Sequence, residues 1–116
     1  MCLMKLSAYH KARGDSVEWH DGRKHYDLVY MSRVFTDSYS KDYAGTIHAD
    51  EIVRGGTGYG LKNRLPWEVE HTRPDYTLYP QFLGSAYGFL SRGCPRGCGF
   101  CIVGEKEGRK AVAVAD

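Results

Sequence analysis

The stretch Ala49-Asp50-Glu51-Ile52-Val53-Arg54-Gly55-Gly56-Thr57-Gly58-Tyr59-Gly60 runs a short β-forming segment into four glycines. Ala49–Arg54 reads as a strand, and the glycines after it permit backbone angles that other residues resist. A strand that ends in a glycine loop belongs to an α/β sheet. The loop is neither GxGxxG nor a P-loop, because Lys62 is followed by Asn63, so a tight turn is expected rather than a phosphate cradle. Upstream, Tyr26–Ser32 and Ser16–Trp19 are rich in Val, Tyr and Trp and read as two more strands, separated by the polar turn His20–Lys24. Asp27-Leu28-Val29-Tyr30-Met31 is expected to be buried. Val34–Tyr43 has no clear period and is read as a loop or a short helix.

At the start, Leu3–Arg13 places Leu3, Leu6 and Tyr9 or His10 at helical spacing, and Gly14 follows where a C-cap would sit. After the glycine loop, Leu65–Pro80 carries Pro66, Pro74 and Pro80 among Trp67, Tyr76 and Tyr79 and reads as an irregular linker. Ala86–Leu90 and Arg109–Ala115 are read as the last two strands. The order predicts a small open α/β, Rossmann-like sheet over residues 1–82, followed by a second region over 83–116. A helix normally crosses between two parallel strands, and here the first helix has no strand ahead of it, while the last strand has nothing to pair against. Both ends read as cut, so a piece of a longer protein is expected.

The chain of 116 residues is 42% hydrophobic and 26% charged, enough for one small domain or one domain and part of another. Sixteen basic and 14 acidic side chains are interspersed for a net charge of +2, so no block of one sign is present to hold nucleic acid or an anionic membrane. The tyrosines and arginines are scattered, and nucleic acid is not indicated. No apolar run reaches the roughly 18 residues of a membrane span, and Met1–Lys11 lacks a signal-peptide pattern. A cytoplasmic location is expected.

Three of the four cysteines fall within Arg92-Gly93-Cys94-Pro95-Arg96-Gly97-Cys98-Gly99-Phe100-Cys101, a CxxxCxxC spacing unlike the paired framework of a secreted protein. Gly93, Gly97 and Gly99 let a short backbone curl so that three sulfurs face one centre, while Arg92 and Arg96 favour thiolates. Cys2 reads as a small apolar residue at a helix start. A cubane cluster ordinarily takes four thiolates; Cys94, Cys98 and Cys101 leave one iron open to a non-protein ligand, as a cluster acting on a substrate requires. The alternative is a structural Cys₃His zinc site completed by His71 or His48. A disulfide within so short a glycine-rich loop has little reason to persist.

CxxxCxxC with Phe100 immediately before the last cysteine resembles the signature of the radical S-adenosylmethionine (radical SAM) superfamily. The resemblance implies that Cys94, Cys98 and Cys101 hold three irons of a [4Fe-4S] cluster and that S-adenosylmethionine chelates the fourth. Phe100 would then pack near the adenine. It further implies reductive cleavage to a 5′-deoxyadenosyl radical, an electron donor such as flavodoxin or ferredoxin, and a substrate that the sequence does not name. Ala49–Gly56, followed later by Tyr87-Gly88-Phe89-Leu90 leading to the cysteines, resembles family members with a cobalamin-binding-like α/β domain ahead of the radical SAM partial (β/α) barrel. Two departures limit the likeness. The chain stops 15 residues after Cys101, before the Gly-Gly-Glu-type contact that later barrel strands supply, so little turnover is expected of this chain alone. No Asp-x-His-x-x-Gly motif is present, so cobalamin is not expected.

Overall fold

The first eleven helical residues contain no proline, glycine or β-branched side chain, and a helix forms over them. In the computed structural model, which describes residues 1–114, α1 spans Cys2–Ala12. His10 and Lys11 lie in its last turn, where positive charge complements the carbonyl end of the dipole. The helix stops in a Schellman arrangement: Asp15 N–H donates to His10 O and Gly14 N–H to Lys11 O, both at 3.0 Å.

β1 (His25–Ser32) and β2 (His48–Gly55) pair in parallel, with Leu28 opposite Glu51, Val29 opposite Ile52 and Tyr30 opposite Val53. Residues 33–47 make the crossover without a helix, held by turns at Thr36–Ser40. Arg33 anchors this crossover through ion pairs with Asp37 at 2.5 Å and Asp42 at 3.7 Å. The expected burial of Asp27–Met31 is reduced to one residue: Val29 is buried, while Asp27 is exposed, because a two-stranded sheet covers little of either face.

The glycine loop is a turn, and three of its amides are bonded within the fold. Gly58 N–H donates to Arg33 O at 2.9 Å, and the Tyr59 and Gly60 N–H groups both donate to Gly56 O at 3.2 Å. Those amides are therefore committed to the fold and not turned to an anion.

Three strand readings are corrected. Ser16–Trp19 is irregular, because Trp19 is held end-on by hydrogen bonds, its Nε1–H donating to Leu78 O at 3.1 Å and its carbonyl accepting from the Tyr26 hydroxyl at 3.4 Å. Ala86–Leu90 is not a strand either; the paired residues are β3, Ser91–Arg92. The final strand shrinks to β4, Val112–Ala113, with Ala115 outside the described residues. It does have a partner: β3 and β4 are antiparallel, Ser91 opposite Ala113 and Arg92 opposite Val112.

Leu65–Pro80 is not a free linker. It contains the short helix α2 (Trp67–Glu70) and a 3-10 turn at Tyr76–Leu78, and it is fixed to α1. Val69 is buried at 3% exposure, Lys5 reaches the Glu70 carbonyl, and Asp75 N–H donates to Met4 O at 3.0 Å. The chain divides into two compact units, Met1–Leu78 and the part from Tyr79 onward. Among the described residues no helix is long and apolar enough to cross a membrane.

Candidate metal centre

The cysteine loop belongs to the second unit and is closed at its base by the β3–β4 pair. Beyond the two paired positions, Val114 N–H donates to Leu90 O at 3.0 Å, so the closure extends one step on the outer side. On the inner side Gly93 adopts φ +87°, and a Cβ there would lie 2.1 Å from the Lys110 carbonyl oxygen. Only glycine fits that approach. Cys94 N–H then donates to Gly108 O at 3.1 Å, which fixes the backbone of the first cysteine.

Glu107 completes this clasp. Its carboxylate pairs with Arg92 Nη1 at 2.9 Å and accepts the Gly93 N–H at 3.4 Å. The Arg92 guanidinium also lies over the Phe89 ring, 4.3 Å from its centroid. Its charge is thus directed to Glu107 and Phe89, and Arg92 does not line the space beside the cysteines.

The loop turns at Pro95-Arg96, passes through Gly97 at φ +64°, and turns again where Cys101 N–H donates to Cys98 O at 3.1 Å. The short helix α3 (Val103–Lys106) follows. As a result Cys94, Cys98 and Cys101 line one depression together with Arg96, Gly97, Val103, Gly104 and Arg109. It is shallow and open to solvent. All three are free thiols, Cys94 half-buried and Cys98 and Cys101 exposed. They border a common space without being drawn into a ligand cluster: among the described residues no group of three or more His, Cys, Asp or Glu side chains stands at metal-holding separation.

The lining carries three thiols and the residues Arg96 and Arg109, and among the described residues no carboxylate or histidine lines the depression. Soft sulfur ligands beside fixed positive charge suit an anionic iron–sulfur group. The histidines weighed for zinc, His48 and His71, belong to the first unit; His71 Nδ1 lies 2.9 Å from the Trp67 carbonyl oxygen and its ring stacks on Trp67 at 4.4 Å. Cys2 is likewise in the first unit, with its Sγ 2.9 Å from Ser32 Oγ. Phe100 is 93% exposed and does not line the depression.

Two residues that matter here, Glu107 and Arg109, escaped the sequence reading, which put Arg109 in a strand. The Glu107-Gly108-Arg109 tripeptide held a usable signal, since a glycine directly after a short helix reverses the chain and returns its neighbours to the loop. No protein-family model, curated protein or solved structure matches the chain.

Proposed function

We propose that Cys94, Cys98 and Cys101 hold three irons of a [4Fe-4S] cluster whose fourth iron takes S-adenosylmethionine, and that the chain belongs to a radical SAM enzyme. The observation that carries this reading is that the three cysteines of CxxxCxxC share one open depression with Arg96 and Arg109, and that no fourth protein ligand lines it among the described residues. The parallel β1–β2 pair with α1 supports an α/β, Rossmann-like accessory region ahead of the cluster loop.

The three thiolates would hold the group, and Cys98 and Cys101 are exposed to solvent. Arg96 and Arg109 offset the negative charge collected there. Phe100, exposed and adjacent in sequence to Cys101, offers an apolar face for an adenine ring. When bound, the cluster would supply the one electron that cleaves the sulfonium of S-adenosylmethionine reductively to methionine and a 5′-deoxyadenosyl radical. The electron comes from a low-potential donor of the flavodoxin or ferredoxin kind.

Anaerobic reconstitution with iron and sulfide tests this directly. A brown protein is expected, with a reduced-state paramagnetic signal that changes when S-adenosylmethionine is added and that is lost in Cys98→Ala. A colourless protein retaining one zinc ion per chain would overturn the proposal in favour of a structural zinc site.

A further inference from the structure

Arg109 is the residue the sequence did not point to, and its surroundings are specific. Its backbone is pinned on both sides to the start of the cysteine loop: the preceding Gly108 carbonyl accepts from Cys94 N–H at 3.1 Å, and the following Lys110 carbonyl fills the space beside Gly93. Its side chain lies along two glycines. A Cβ on Gly104 would sit 3.6 Å from Arg109 Cγ, and a Cβ on Gly97 would sit 2.6 Å from Arg109 Nη1. The guanidinium therefore rests against the loop between Cys94 and Cys98, where any side chain at 97 would displace it. Among the described residues no hydrogen bond or ion pair engages it, in contrast to Arg92, whose charge Glu107 takes up. Among the described residues no acidic side chain lines the depression to neutralise it.

We propose that Arg109 is a positioning residue that supplies fixed positive charge to the depression of Cys94, Cys98 and Cys101 and thereby raises the reduction potential of the cluster held there. The inference rests on the cluster reading above. Three thiolates make the loaded site an anion, and the electron accepted from the low-potential donor makes it more negative without forming or breaking a bond. A nearby guanidinium stabilises the reduced form more than the oxidised form. Arginine suits this task because it keeps its charge under all conditions and is only weakly hydrated.

The test uses the full chain in a Cys2→Ser background, with Arg109→Gln removing the charge at similar size and Arg109→Lys keeping it. In redox titrations of the reconstituted protein, R109Q is expected to show a more negative midpoint than the parent and R109K to stay close to it. A second arm needs no cluster. The thiols of the unloaded protein are reacted with a dianionic aromatic disulfide and with a neutral dipyridyl disulfide, and the ratio of the two rates reports the local potential independently of the thiolate fraction. R109Q should lower that ratio by on the order of threefold at low ionic strength, R109K should preserve it, and added salt should erase the difference. A cluster that forms in R109Q with the parent's midpoint overturns the inference and leaves the cluster reading standing, and so does an unchanged reagent ratio. Failure of the parent chain to take up iron and sulfide overturns the reading on which the inference rests.

Discussion

Asp75 stands where α1 and the segment after α2 meet, and its carboxylate accepts four hydrogen bonds from within the fold. Ser7 Oγ–H and Lys11 Nζ each donate to Oδ2 at 2.7 Å, while Thr77 donates to Oδ1 through its hydroxyl at 2.5 Å and its N–H at 3.0 Å. Burial alone would raise the Asp75 pKa, but the hydrogen bonds from Lys11, Thr77 and Ser7 outweigh it and hold the carboxyl well below the usual carboxylate range. A native pKa below the unfolded one stabilises the fold at every pH above about 4 and is lost as the pH falls through that range. Asp75→Asn is therefore expected to cost about 1–3 kcal/mol in urea unfolding at neutral pH. The gap to the parent should narrow by about pH 3, where the unfolded chain no longer loses the proton; a gap that stays constant with pH would show that Asp75 acts by shape alone. None of this was legible beforehand. Between Pro74 and Tyr76 the residue looked like part of a linker, since its partners Ser7 and Lys11 are 68 and 64 positions away. By contrast, the three cysteines were legible because their spacing is local, and a local turn is what brings them to one depression.

At the scale of elements, local pattern and tertiary pairing part company in a consistent way. The first helix and the strands over 26–32 and 49–54 were readable because composition and period agreed over a whole element, and the observed bounds differ by one residue or so at each end. Tyr87-Gly88-Phe89-Leu90 carries equal β propensity, yet Tyr87, Phe89 and Leu90 are exposed and the pairing falls on Ser91–Arg92. A strand is specified by its partner, and the partner here is chosen by the clasp around Gly93 and Glu107. The segment from Trp67 to Glu70 shows the converse. Its proline and aromatics signal a connection, but Pro66 also opens α2 and Val69 is the most deeply buried apolar side chain described. If α2 is packed and not merely adjacent, Val69→Ala should destabilise the first unit by about 2 kcal/mol. Trp67→Ala, at a ring 71% exposed, should change stability by less than about 1 kcal/mol. Chemical denaturation followed by far-ultraviolet circular dichroism distinguishes the two, and equal effects would contradict the assignment of α2 as an anchoring element.

Across the whole molecule the buried apolar side chains among the described residues are Met4, Leu6, Val29 and Val69, and every one of them belongs to the first unit. The second unit is ordered without a comparable core. Its described restraints include the β3–β4 pair, the Arg92–Glu107 contact, ring contacts of Phe82 with Tyr79 and Tyr87, and a few backbone hydrogen bonds around the cysteines, while Phe89, Leu90 and Ile102 remain exposed. So small a unit gains little from apolar burial, and in such units a bound metal group commonly supplies the missing stability, because a ligand that binds only the folded form lowers its free energy by mass action. The proposed cluster would then act as a staple as well as a reagent. Hydrogen exchange measured on the unloaded and the reconstituted chain should show amides of β1 and β2 protected in both. Amides over residues 92–110, including that of Cys94, are expected to exchange rapidly without the cluster and to slow at least tenfold with it. That gain corresponds to about 1.4 kcal/mol of local stability, small beside typical metal-binding free energies. If the unloaded chain already protects Cys94 as strongly as Val29, the clasp alone holds the loop, and the metal group adds chemistry without contributing to the fold of the second unit.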